Sequence, residues 1–270
     1  MLFESWLRPL GRTFLVLGVS AGLVAVGSGL KPALAQDEAA APSTTAEELN
    51  QSIFDAPAFQ QAIHDYIMEN PEVILDSIEV YNERQRIIAE QQANKAMTEH
   101  QKVIMKDPHV GRAGDPDGEI VMIEFFDYHC GYCKRARADV ARLLKEDDLQ
   151  VIFVDTPILS DNSRLAARWS LAAQELDKYW EFHQELLRHR GNYSEAAMED
   201  MAKEAGMDPD KLAEAAGQDK WDEIITGYVE MAQEMGIRGT PSFIVDGELF
   251  RGAVGYDKLK EAVHNARLTK

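Results

Sequence analysis

The two cysteines of this chain, Cys130 and Cys133, stand three positions apart with Gly131 and Tyr132 between them. A hydrophobic run ending in Phe125-Phe126-Asp127-Tyr128-His129 leads into them, and Lys134-Arg135-Ala136-Arg137 continues as helix. Cysteines at this spacing on a helix start share one face, a turn apart, close enough to join as a disulfide. The first sits where unpaired backbone N–H groups and the helix dipole stabilise a thiolate. The chemistry this favours is reversible exchange between dithiol and disulfide. A purely structural bridge across so small a loop contributes only about 2 kcal/mol in the chain-entropy model, roughly half the effect of a hundred-residue loop. A zinc centre needs two further ligands, and no second cysteine pair supplies them.

Three neighbours bear on that chemistry. His129 and Tyr132 flank the first cysteine, and an imidazolium there would favour the charged sulfur, although a histidine in this place also occurs as plain surface. Glu124 lies six residues before Cys130 on the incoming strand. A carboxylate at that point could relay the proton of Cys133; the competing reading is a strand glutamate facing solvent, which the apolar neighbours Met122, Ile123, Phe125 and Phe126 disfavour. The seven histidines show no ligand spacing, and Met198, Met201 and Met207 lie close in sequence without forming a copper-binding cluster. No metal and no cofactor is expected.

The elements that position these residues are legible around them. Glu119 to Phe126 and Leu149 to Asp155 read as strands on either side of the cysteine helix. Ser163 to Met235 is helical, with breaks at Gly191, at Gly206-Met207-Asp208-Pro209 and at Gly217. Trp169, Tyr179, Trp180, Phe182 and Trp221 are read as its core, and some of them could also line a groove beside the site. Ser242 to Val245, the Asp246-Gly247 turn and Glu248 to Arg251 form a hairpin, and Tyr256 to Arg267 a closing helix.

Upstream, Lys106 to Gly118 reads as a linker rich in Gly, Pro and Asp. Before it, Asp55-Ala56-Pro57 opens a short helix carrying Phe59, Ile63, Tyr66 and Ile67. Asn70-Pro71-Glu72 restarts it, with Asn as cap and Pro as the first helical residue. Nothing breaks the pattern until about Met105, which implies a rod of roughly 50 Å. Ile67, Ile74, Ile78, Tyr81 and Ile88 make a partial heptad that fades into Gln91, Gln92 and Lys95. The expectation is self-association through the apolar half, with the polar remainder as an arm; a helix folded back on its own domain is the alternative.

At the N-terminus, Arg8 and Arg12 precede an uncharged stretch from Thr13 to Leu30 and the small-x-small site Ala33-Leu34-Ala35. Residues 1–35 are read as a cleaved secretory signal rather than a membrane anchor, and 36–53 as a disordered tether. The compartment would then be oxidising. The formal charge of −18 argues against nucleic acid or an anionic membrane as partner.

Strand, Cys-x-x-Cys helix, helical insertion (about 160–236) and Gly239-Thr240-Pro241 before a hairpin resemble an α/β thioredoxin fold with the inserted domain of DsbA-type proteins. The resemblance covers Glu119 to the C-terminus. Gly131-Tyr132 and the threonine before Pro241 look more like the bacterial disulfide isomerases than the monomeric oxidant. The segment Tyr66-Ile67-Met68-Glu69-Asn70-Pro71-Glu72-Val73-Ile74 is similar to the N-terminal module of ScsC-like proteins, which are periplasmic, linked to copper tolerance, and trimeric in known examples. The resemblance implies that Pro241 is cis and faces the dithiol, and that Thr240 presents its backbone to an extended substrate and helps set redox poise. It also implies an exposed Cys130 as nucleophile and a deeper Cys133 as resolving thiol. The function expected is periplasmic disulfide isomerisation or reduction, on misfolded or cysteine-containing secreted proteins, served by a membrane thiol-disulfide electron donor or acceptor. A DsbA-like oxidant and a client-binding holdase with secondary redox activity are the alternatives.

Overall fold

The structure, a computed structural model, describes residues 54–270, so the expected signal and tether, residues 1–53, lie outside the described residues. Two compact units divide the chain after Met68. The first holds all but the last residue of α1 (Pro57–Glu69), which starts on a proline, whose missing N–H costs nothing in a first turn, and Phe54 packs edge-on against Phe59 at 5.3 Å. It has no buried residue.

The second unit holds a five-stranded sheet in the order β1-β3-β2-β4-β5. These are β1 (Gly111–Gly114), β2 (Ile120–Phe126), β3 (Leu149–Asp155), β4 (Ser242–Val245) and β5 (Glu248–Arg251). Only β2 and β3 run parallel, in the register Ile120↔Leu149 to Phe126↔Asp155. Their near-continuous apolar runs are what a strand pair buried on both sides needs. The hairpin turn forms as expected, with Asp246 at φ 48° and Gly247 at φ 80°.

The stretch 106–118 is not a plain linker. Its residues Gly111 to Gly114 pair antiparallel with Phe153 to Gln150, and Val110 is fully buried, so the sheet has five strands rather than four. The sequence Gly-Arg-Ala-Gly has no apolar alternation because β1 is an edge strand tucked under an aromatic ring. A side-chain carbon at Gly111 would lie 1.9 Å from Tyr179 Cζ, so only glycine lets the strand pass.

The long helix, α2 (Glu72–Ile104), begins one residue later than expected, with Pro71 in the flanking position and Val73 N–H donating to the Asn70 carbonyl. Its first half leaves Ile74, Leu75, Ile78 and Tyr81 exposed. Its polar second half is no free arm: Met97 and Ile104 are buried, and His100 Nε2 lies 2.5 Å from Glu234 Oε2 of the last insertion helix. The docking face uses small residues such as Ala93 and Ala96 at helical spacing, which carry little hydropathy signal.

α3 (Gly131–Leu143) carries the cysteines. The insertion consists of α4 (Asp161–Glu175), α5 (Tyr179–Arg188), α6 (Glu195–Glu204), α7 (Pro209–Ala216) and α8 (Lys220–Glu234), and α9 (Tyr256–Thr269) closes the chain. Trp169, Tyr179, Phe182 and Trp221 are buried in it as expected, while Trp180 is half-buried.

Candidate active site

The cysteine pair sits where β2 hands over to α3. Cys130 is the N-cap of α3, and its sulfur accepts the Cys133 backbone N–H at 3.4 Å. It is only 6% exposed, against the expectation of an open thiol, because the loop before β4 closes over it. The Cys130 thiol meets the Thr240 carbonyl at 3.2 Å, and the Thr240–Pro241 peptide is cis. Cys133 is fully buried a turn further in. Both cysteines are in the dithiol form.

The two sulfurs have opposite environments. Hydrogen bonding from the Cys133 thiol is the main reason the Cys130 pKa falls to about 5; the Thr240 side chain and the backbone N–H groups of Cys133 and Tyr132 add to it, against the effect of burial. Burial above all, then the hydrogen bond to Cys130 and the Glu124 charge, holds the Cys133 thiol far above its ordinary range. At neutral pH the first is a thiolate and the second its proton-bearing partner. Glu124 is 3% exposed, paired in register with Phe153 and Phe243. Burial, then the charge on Cys130, raises its pKa to about 8.

His129 is placed differently from the expectation. Its ring lies 3.2 Å from Ser160 Oγ and edge-on to Tyr193 at 5.1 Å, so its contacts run to the insertion side rather than to the thiolate. Tyr132 is 61% exposed, with the Arg135 guanidinium 4.1 Å above its ring. Gly131 is open enough that a side chain there would meet only the end of Arg135, at 3.8 Å. Thus Cys130, Cys133, Thr240 and Pro241 come together, Glu124 lies beneath them, and His129 turns aside.

Several residues that hold this arrangement were not legible in the sequence. Asp127, fully buried, accepts the His129 backbone N–H at 2.7 Å and those of Ile158 and Leu159 at 3.0 Å each. It ties the loop before Cys130 to the loop after β3, contacts that only the paired strand ends create. Asp127→Ala is expected to leave these donors unpaired and cost about 3 kcal/mol in urea unfolding; a loss under about 1 kcal/mol would refute the clamp. The insertion grips the same loop from the other side. Tyr128 Oη meets Ser170 Oγ at 2.6 Å and His183 Nδ1 at 2.9 Å, and Tyr193 Oη donates to the Tyr128 carbonyl at 2.9 Å. Burial, followed by Arg137, lowers the His183 pKa to about 3, so its imidazole is neutral. Asp155, also buried, has neither carboxylate oxygen hydrogen-bonded, and burial and then Asp127 push its pKa well up. A groove of about 420 Å³ runs beside the cis peptide, lined by Tyr132, Arg238, Pro241, Arg251 and their neighbours.

The chain is similar to several known proteins. The profile of a family described as "Thioredoxin" matches residues 105–265, and that of the "Copper resistance protein ScsC N-terminal domain" matches residues 57–86. "Disulfide bond formation protein D" of Bacillus subtilis is 26% identical over 166 residues, covering 56% of this chain and 73% of that protein. The chain spans only 24% of the Na(+)/H(+) antiporter NhaA 1 of Salinispora arenicola, at 26% identity over 156 residues. Among solved structures, a thioredoxin-like oxidoreductase of Silicibacter pomeroyi is 36% identical with a TM-score of 0.58, covering 61% of this chain and 96% of its own. The catalytic domain of Proteus mirabilis ScsC is 25% identical with a TM-score of 0.60, covering 66% and 99%. Among the described residues no helix is long and apolar enough to cross a membrane. The first profile alone takes in more than half of the sequence, so the chain belongs to the thioredoxin family, among its DsbA-type, ScsC-like thiol-disulfide oxidoreductases.

Proposed function

We propose that this protein is a secreted, periplasmic disulfide isomerase or reductase that works as a homo-oligomer, a trimer in the ScsC manner. Cys130 is its nucleophile. The thiolate attacks a client disulfide, one client sulfur leaves and takes up a proton, and a mixed disulfide remains. In isomerisation another client thiolate then displaces Cys130. In reduction Cys133 loses its proton, attacks Cys130 and releases the second client thiol, leaving the Cys130–Cys133 disulfide for a membrane thiol-disulfide partner to reduce. Thr240 presents its backbone to the extended client beside cis-Pro241, and Glu124 relays the Cys133 proton.

The observation that carries the isomerase reading is the exposed apolar stripe Ile74, Leu75, Ile78 and Tyr81 on α2, which lies within the ScsC-type segment 57–86. A surface of that kind marks a partner surface, and several linked active sites raise the effective concentration of thiolate at one misfolded client. One observation favours the oxidant instead: a Cys130 pKa of about 5 lies between the roughly 7 of thioredoxin and the roughly 3.5 of DsbA, and a stabilised thiolate makes the disulfide more oxidising. Reactivation of scrambled ribonuclease under a reducing poise separates the two. The expected result is activity that falls about tenfold when Ile74→Lys and Ile78→Lys break the assembly, by loss of effective concentration. No reactivation, together with rapid oxidation of reduced ribonuclease by the disulfide form, would establish the oxidant.

A further inference from the structure

The protein is strongly acidic, with 46 Asp and Glu against 28 Lys and Arg. Its exchange site is not. The groove beside cis-Pro241 is lined by Arg238 and Arg251, both exposed. Arg238 donates only to the Gln233 carbonyl, at 2.8 Å, and Arg251 is held by its backbone in the hairpin, opposite Ser242. Tyr132 forms a further side of the groove and bears Arg135 on its face. Among the described residues none of these three guanidiniums meets a carboxylate, although the chain has acids to spare. Uncompensated guanidiniums gathered at one groove draw in an anion.

We infer that the groove selects cysteine peptides carrying acidic side chains next to the reacting sulfur, bound by Arg238 and Arg251. This rests on the thiol-exchange reading above and narrows its clients by charge. The guanidinium fork takes a carboxylate with two parallel hydrogen bonds, and a peptide laid along the cis-proline loop brings the residues flanking its cysteine to the groove that the two arginines line. Attraction at an exposed groove is local and falls with salt, because the screening length is only about 8 Å at physiological ionic strength.

The test uses the full, pre-reduced protein and three cysteine peptides that differ only in the flanking pair: Glu, Gln or Lys. Each is supplied as a mixed disulfide with 2-thiopyridine. Cys130 attacks the peptide sulfur and 2-thiopyridone leaves; Cys133 then displaces the peptide thiol, closing the Cys130–Cys133 disulfide. Each rate is divided by that of dithiothreitol with the same peptide, which removes intrinsic differences in reactivity. The expected Glu-to-Lys ratio is about tenfold at low salt, shrinking as salt is added. In Arg238→Gln/Arg251→Gln the ratio should approach one, while Arg238→Lys/Arg251→Lys keeps it above one; a ratio within each variant is immune to a general loss of rate. A wild-type ratio of one or less, or a ratio unmoved in the glutamine variant, overturns the inference. Release from the Gln peptide no faster than with Cys130→Ser would instead sink the exchange reading itself.

Discussion

Replacing Cys130 by serine is expected to lower the rate of thiol-disulfide exchange by on the order of a thousandfold or more, measured as turnover of a peptide disulfide. The reason is specific to this site. The reactive form is a thiolate, and the hydrogen bonds that bring Cys130 down to about 5 place it fully ionised at neutral pH. A serine hydroxyl in the same cradle stays protonated and cannot form the mixed disulfide. Cys133→Ser should behave differently: the first attack still occurs, and because the resolving thiol is gone, client proteins remain trapped on Cys130 and run as higher-mass species on a non-reducing gel. The pair of variants also decides against the holdase. Protection of a client from aggregation that persists undiminished in Cys130→Ser, alongside negligible exchange in the wild type, would make the dithiol secondary.

Glu124→Gln should change how stability depends on pH. The carboxyl of Glu124 has its pKa raised to about 8 in the folded protein against a reference of 4.5, chiefly by burial. An acid held above its unfolded pKa binds more protons folded than unfolded. Its contribution therefore falls as pH rises from about 4.5 to about 8, by a total on the order of 4 kcal/mol. Cys130 does the reverse: with its pKa lowered from 9.0 to about 5, its contribution grows over pH 5 to 9 and is lost as pH falls through about 5. In the reduced wild type the two titrations oppose each other across nearly the same window. Removing the acid leaves the thiolate unopposed, so urea unfolding of reduced Glu124→Gln at pH 5, 6, 7 and 8 should show stability rising relative to wild type with each step. Parallel curves would show that Glu124 does not titrate as its burial requires.

The same substitution tests the proposed relay. A base with a pKa near 8 is about one-tenth ionised at pH 7, enough to accept the proton of the buried Cys133 thiol when the mixed disulfide forms. Without it, resolution should slow by about a hundredfold while the first attack is little changed, seen as a build-up of mixed disulfide in single-turnover reactions. Equal accumulation in the two proteins would leave Glu124 without that role.

Several features of this protein were settled by the sequence itself, because they depend on residues adjacent in the chain. Cys-Gly-Tyr-Cys at a strand-to-helix junction specifies a dithiol whose first sulfur caps a helix, and Cys130 does accept the Cys133 N–H. The apolar runs of β2 and β3 and the Asp246-Gly247 turn specify strands and a hairpin, and they form where read. Glu124 among four apolar neighbours specifies a buried acid.

Other features needed the tertiary structure, since their causes lie far apart in sequence. Strand β1 has no pattern of its own and exists because β3 offers it an edge and Tyr179 a roof. The second half of α2 looks like a solvated arm, yet its alanines and Met97 find a matching surface around α8 and Gly236. Asp127 shows no role in the sequence, since two of the N–H groups its carboxylate binds, those of Ile158 and Leu159, come from the loop after β3. Cys130 is less open than a helix-end thiol suggests, because a loop 110 residues later closes on it and supplies the Thr240 contact. The arginines that line the groove, Arg238 and Arg251, come from the loop before β4 and the end of β5. Local periodicity can say which element a residue joins; only packing decides which charges share one groove.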